Sequence, residues 1–246
     1  MVRPIERALQ IVGMITALSS PALAGPPYIS DDPEPTDFKH LEIYAFTSGT
    51  RTLNSINGHA GIDFNYGAAP NLQLTAVLPA GFGQAAGSGS QIGVGNFQFA
   101  AKYRFLHQDS FGLDVSFFPR LFLPSGSSTT GDINSSILLP LWLEKDWRGW
   151  SVFGGGGCVI SADSAANHCL AGGVLTRQVV TKLQLGVEVS YQTGQANGAL
   201  STAAVGLGAR YDLADNYHLL AYFNRGVQNA NETNQYSWYA ALLFTF

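Results

Sequence analysis

The chain has 246 residues and a formal net charge of −4, and only 12 % of its residues are charged, about half the share of an ordinary soluble protein. With 28 glycines, 12 % aromatics and a mean hydropathy of only +0.09, it is apolar in its details but not on average. The mild acidity argues against a nucleic-acid partner. No stretch after the first residues has 18 consecutive apolar positions, which excludes a transmembrane helix.

In chain order, residues 1–24 have the form of a cleavable secretory signal. Arg3 and Arg7 make a positive start, Ala8 to Leu18 an apolar run, and Ala22-Leu23-Ala24 a small-x-small cleavage site. The run is well short of the roughly 20 residues a spanning helix needs. Residues 25–36 hold Pro26, Pro27, Pro33 and Pro35. Such a segment cannot pair inside a sheet and is expected to form an extended periplasmic arm. It either reaches back to plug the folded body of the protein or lies free.

From residue 37 the chain alternates with a period of two. Strands are expected near 37–47, 57–66, 71–80, 92–105, 111–124, 133–144, 149–160, 167–177, 182–192, 199–211, 217–226 and 236–246. The clearest is 182–192, where Leu183, Leu185, Val187, Val189 and Tyr191 alternate with Lys182, Gln184, Gly186, Glu188, Ser190 and Gln192. The weakest is 149–160, because Gly154 to Gly157 give no alternation and glycine weakens a strand. The last strand has Tyr236, Trp238, Ala240, Leu242, Phe244 and Phe246 on one face. It resembles the closing strands, ending on Phe, that the barrel-assembly machinery of bacterial outer membranes reads.

Short connections (67–70, 107–110, 145–148, 178–181, 212–216) alternate with mostly longer ones rich in Gly, Ser, Thr and Asn (48–56, 81–91, 125–132, 161–166, 193–198, 227–235). Aromatics gather beside the short ones: Tyr66, Phe105, Phe111, Trp147, Trp150, Tyr211, Tyr217 and Phe246. These features together predict an all-β chain: an antiparallel transmembrane β-barrel of about 12 strands over residues 37–246, with short periplasmic turns and longer outer loops. A soluble β-sandwich would turn its apolar face inward. The opposite face here carries Glu42, Asp63, Lys102, Arg104, Asp114, Arg120, Lys182, Glu188 and Arg210. A dry core would have to pair each of these, whereas a wet lumen need not.

The chain's two cysteines, Cys158 and Cys169, stand in an exported and therefore oxidising context. Their spacing suits a disulfide across one hairpin. No Ser nucleophile elbow, dinucleotide fingerprint or metal-binding His pattern occurs, and neither a catalytic residue, a metal nor a cofactor is expected. His168 with Ser161 and Ser164 is the one faint Ser–His combination.

Function is therefore sought in the lumen. Glu42, Asp63, Arg120 and Glu188 are expected near mid-strand, as a polar waist that either sets selectivity or only neutralises itself. Lys102, Arg104, Asp114 and Arg210 are expected at the periplasmic end, with Asp114 opposite Lys102 or Arg104. Tyr44, Phe118, Phe122, Tyr222 and Tyr239 point inward on the same parity, either as surfaces for a solute or as filling.

The arm is the most distinctive segment. Gly25-Pro26-Pro27-Tyr28-Ile29-Ser30-Asp31-Asp32-Pro33-Glu34-Pro35, followed by His40-Leu41-Glu42-Ile43-Tyr44, resembles the start of mature proteins in the MetA-pathway of phenol degradation family. These begin G-P-P-F-x-T-D-D-P and run into an H-W-E strand; Tyr28, Ser30 and Leu41 depart from that pattern. The resemblance implies an outer-membrane protein transporting aromatic or other hydrophobic compounds, and it brings no catalytic residues. The expected partners are outer-membrane lipid, the assembly machinery through the Phe246 strand, and a small solute. A closed structural or adhesion barrel is the alternative, and a lipid-modifying enzyme a more distant one.

Overall fold

The computed structural model describes residues 26–125, 134–196 and 198–246; the signal-like segment 1–24 and Gly25 lie outside them. The strands are β1 (Leu41–Arg51), β2 (Ser55–Ala69), β3 (Leu72–Ala85), β4 (Gln91–Val94), β5 (Phe97–Leu106), β6 (Asp114–Phe117), β7 (Arg120–Leu123), β8 (Ser136–Trp147), β9 (Trp150–Ser161), β10 (His168–Val180), β11 (Leu183–Gln192), β12 (Thr202–Ala214), β13 (Tyr217–Gln228) and β14 (Tyr236–Thr245). Each pairs antiparallel with its neighbours, and β14 pairs with β1 from Glu42↔Thr245 to Arg51↔Tyr236. The sheet is thus closed on itself, the condition for standing in lipid.

Two staves are interrupted. β4 and β5 both pair with β3, while β6 and β7 both pair with β5 and β8, so the fourteen segments make a twelve-stave barrel. The breaks fall where prolines remove ladder donors. Pro119 separates β6 from β7, and Gly95, at the break between β4 and β5, donates to the Pro79 carbonyl at 2.9 Å. The Phe118 N–H reaches the Pro140 carbonyl at 3.3 Å. The alternation expected over 92–105 and 111–124 is therefore right in face but not continuous in hydrogen bonding.

Four short turns connect the staves at one end, at 70–71, 148–149, 181–182 and 215–216. At 148–149 both Arg148 (φ 49°) and Gly149 (φ 78°) are left-handed, the type I′ geometry that matches strand twist. The fifth connection at this end, expected at 107–110, runs from 107 to 113 and contains a one-turn helix, α1 (Gln108–Phe111), closed by Gly112 at φ 81°. At the other end the connection expected over 48–56 shrinks to 52–54, because β1 and β2 continue pairing to Arg51↔Ile56.

Along β11 the burial alternates strictly. Leu185, Val187, Val189 and Tyr191 are exposed, whereas Gln184, Gly186, Glu188 and Ser190 are buried. The same holds along β13, where His218, Leu220, Tyr222 and Asn224 turn inward. The apolar face is thus outside, and it is solvated by lipid rather than packed on a core. Tyr66, Phe105, Phe111, Trp147, Tyr211, Tyr217 and Phe246 stand exposed beside the short-turn end. Part of the inner wall is also apolar, since Tyr44, Leu220, Ala241 and Leu243 cluster with Phe46 and Tyr239.

The glycine-rich segment forms an unbroken strand, β9, paired on both sides. A side chain at Gly154 or Gly156 would run into the backbone of β10, and one at Gly155 or Gly157 into that of β8. These glycines are selected by close approach of three strands rather than by alternation. Cys158 and Cys169 pair directly across the β9–β10 hairpin and form a disulfide.

Candidate functional site

The proline-rich segment 26–36 lies within the lumen, and its own residues are what fix it there. Its N-terminal part is held by a ring and a carboxylate. Tyr28 meets Phe153 and Tyr222 edge-on, with centroids 5.8 and 5.5 Å away. A side chain at Gly186 of β11 or Gly208 of β12 would collide with the Tyr28 ring, and one at Gly172 of β10 would collide with Ser30. Inward glycines thus form a flat bed under the arm. The Ile29 and Ser30 N–H groups donate to the two oxygens of Glu188 at 3.1 and 2.7 Å. An extended segment cannot satisfy its own N–H groups, so the wall supplies the acceptor.

The next residues make an ionic clamp. Lys102 on β5 donates to Asp31 at 2.9 Å, to Asp32 at 3.2 Å and to the Glu34 carbonyl at 3.1 Å. Arg120 on β7 also pairs with Asp31, and Arg104 reaches Glu34 at 3.4 Å. Both Lys102 and Arg120 stand over the Phe118 ring, at 4.9 and 4.4 Å. Beyond Pro35, the Thr36 N–H and hydroxyl donate to Gln73 of β3 at 2.8 and 3.1 Å.

Asp31 and Asp32 belong to the arm and sit in different electrostatic surroundings. Burial would push Asp31 up, but Lys102 and Arg120 outweigh it and hold the carboxyl below its usual value. For Asp32 burial wins over Lys102, with Asp31 and Glu34 adding to it, and the carboxyl is pushed up to about 7. Its Oδ2 has no hydrogen-bond partner, the environment of a group that gains from holding a proton.

Among the described residues, two spaces flank the arm. On the short-turn side is a cavity of about 100 Å³, lined by Asp31, Asp32 and Glu34 together with Glu42, Asp63, Lys102, Arg120 and Arg210. On the long-loop side is a chamber of about 860 Å³. Its described lining runs from Tyr28 and Ile29 through Ser48 and Thr50 of β1, Ser190 and Gln192 of β11, Thr202 of β12, and Asn224 of β13 to Asn234, Ser237, Trp238 and Tyr239. Glu232 is the one residue with a formal charge among them. The arm thus separates a charged compartment from a neutral one.

The four residues expected at one waist do not share one ring. Glu42, Asp63 and Arg120 line the small cavity together, but Glu42 pairs with Thr245 at the short-turn end rather than mid-strand. The cause is that the arm continues to His40 and β1 starts at Leu41, four residues later than the alternation expects. Glu42 accepts from the Tyr44 hydroxyl at 3.1 Å, and Asp63 from Asn65 at 3.0 Å. Glu188 lies outside that cavity and is engaged by the arm. Of the charges expected at the periplasmic end, Arg104 lies 3.7 Å from Asp114, whereas Lys102 turns to the arm. Arg210 binds Asp212 at 3.2 Å. His168 Nδ1 meets the Ala166 carbonyl at 2.9 Å rather than Ser161 or Ser164.

Gln73 and the glycine bed escaped the sequence reading. Glycine has no side chain to signal a contact, and Gln73 is one neutral residue in an ordinary strand. The twin carboxylates Asp31 and Asp32, opposite a wall bearing Lys102, Arg104 and Arg120, were the signal available.

A closed, inside-out, twelve-stave barrel with its arm folded into the lumen defines the class: this is an outer-membrane β-barrel of porin-like fold. Residues 32–242 match the family model described as Putative MetA-pathway of phenol degradation, and the chain belongs to that family. No curated protein matches it. Among solved structures, the COG4313 outer membrane channel from Pseudomonas putida F1 superposes with a TM-score of 0.72 at 15 % identity, covering 87 % of this chain and 98 % of that one. The KdgM porin gives 0.57 at 11 % identity, covering 83 % and 99 %. The NanC porin gives 0.53 at 8 %, covering 83 % and 98 %. At these identities the likeness concerns the fold.

Proposed function

We propose that the protein is an outer-membrane channel or passive transporter for small solutes, with aromatic or hydrophobic compounds as the class its family suggests, and that the 25–36 arm restricts the passage. The observation that carries this reading is the division of the lumen. A chamber of about 860 Å³ on the long-loop side lies within the size range of small-molecule sites. Below it stand the arm and the charged cavity. In this reading the long loops face outward, the short turns face the periplasm, and residues 1–24 are removed on export.

Lys102, Arg120 and Glu188 then act on permeation through the arm they hold, while Glu42 and Asp63 face the remaining space directly. The arm also favours the rival reading, a closed structural or adhesion barrel, because it fills the section that a pore must leave open. Planar-bilayer conductance decides between them, measured on the refolded protein with and without residues 25–36. Discrete currents that grow on removing the arm support the channel. Silence from both proteins, each with an intact heat-modifiable band, leaves the closed barrel.

A further inference from the structure

The long-loop chamber has a chemistry that barrel closure and arm docking do not call for. Neutral hydrogen-bonding side chains project from five consecutive staves: Ser48 of β1, Ser237 of β14, Asn224 of β13, Thr202 of β12 and Ser190 of β11. Two of them are incompletely satisfied. Asn224 is 1 % exposed; its Oδ1 accepts from Asn234 at 2.8 Å, whereas its Nδ2, beside the Tyr222 hydroxyl, makes no hydrogen bond of good geometry. Thr202 Oγ1 is likewise buried without a partner. Buried donors left unmet destabilise a protein by a sizeable fraction of its stability, so such a group facing a chamber points to a ligand atom as its partner. Aromatic rings stand among these groups. Tyr28 and Tyr222 meet edge-on, and Tyr239 has one face stacked on Phe46.

Each feature narrows the ligand. A hydrocarbon would strip water from hydroxyls and amides on five adjacent staves and return no hydrogen bonds. An anionic solute would find no counter-charge, since the lumen's cations Lys102 and Arg120 are engaged on the far side of the arm, and a cationic one would find only Glu232 in the described lining. A ligand with hydroxyls around its rim and apolar ring faces satisfies both the polar atoms and the aromatics. We propose that this chamber is a binding site for neutral, polyhydroxylated ring solutes, that is, uncharged saccharides, with Asn224 and Thr202 as hydrogen-bonding residues and the tyrosines as ring contacts. Binding is a property of the folded barrel and does not rest on the channel reading.

The test is calorimetric titration of the full chain, folded in micelles of a detergent without a sugar headgroup. The probes are maltotriose, trigalacturonate and phenol. Saturable binding of maltotriose, with trigalacturonate and phenol at least tenfold weaker, is expected. Asn224→Leu keeps the side-chain volume and should weaken maltotriose about tenfold, the loss of one well-placed hydrogen bond. Thr202→Val, nearly isosteric, should weaken it severalfold and serves if Asn224→Leu does not fold. The proposal is overturned by no saturable binding of maltotriose, by phenol or trigalacturonate binding as tightly, or by both folded variants binding like the parent. Binding in a barrel that carries no current would sink the channel reading and leave this one standing; current without binding would do the reverse.

Discussion

At the scale of single residues, Lys102 joins the arm to the wall. It is 3 % exposed and touches Asp31, Asp32 and the Glu34 carbonyl. Removing one partner of a buried ion pair costs about 3–5 kcal/mol, because the other charge stays behind. Lys102→Met should therefore release the arm while the barrel persists. Limited proteolysis of the folded protein should then cut within 26–36, and an arm as resistant as the parent's would refute the clamp. The two carboxylates also predict a pH dependence, since Lys102, Glu34 and, from β8, Glu144 face Asp32. Asp32 is raised to about 7 from 3.8, so its contribution to docking is present in acid and lost as pH rises through 7. Asp31 is held low, so its contribution is present above 3.8 and lost only as pH falls through its depressed value. Docking should be firmer at pH 5 than at pH 8 by the same proteolysis assay, and Asp32→Asn should flatten the difference.

At the scale of elements, the β9–β10 hairpin combines a run of glycines with a disulfide. Gly154 to Gly157 contribute no side-chain packing, and their unfolded chain has more freedom to lose. The Cys158–Cys169 bond spans a sequence separation of 11, a loop for which the chain-entropy account gives about 3 kcal/mol. Replacing both cysteines by serine should leave the barrel able to form but lower the temperature at which its heat-modifiable band is lost. An unchanged transition would show that the flanking strands already fix the hairpin. The interruptions at 95–96 and 118–119 belong to the same scale. Alternation is a property of side chains, so it passed through both breaks, whereas the missing bonds depend on Pro119 within one stave and on Pro79 across the sheet from the other.

At the scale of the whole molecule, the inside-out polarity is what makes this a membrane barrel. Val187 is exposed in mid-strand β11. An arginine there would sit in the hydrocarbon, at a cost of about 2–4 kcal/mol near the midplane. Val187→Arg should lower the folded fraction in lipid vesicles, and equal folding would argue that this face does not meet lipid. The lumen shows the complementary logic. Its charges form no ring but are drawn to one side by the arm, and the neutral chamber is what remains.

Twelve staves, their faces, the disulfide and the family were legible in the sequence, because alternation, turn residues, cysteine spacing and the G-P-P-Y-I-S-D-D-P segment are all local. The β11 alternation alone fixed which of its residues turn inward. What the tertiary structure decided is where the arm goes and which charges it uses. Glu188 and Lys102 are 158 and 70 residues from the arm atoms they hold, and no local pattern encodes a contact of that range. The late start of β1, which moves Glu42 out of mid-strand, follows from the same docking. The chamber's make-up also emerges only in the folded barrel, when residues from seven neighbouring staves, β10 to β14 with β1 and β2, line one space.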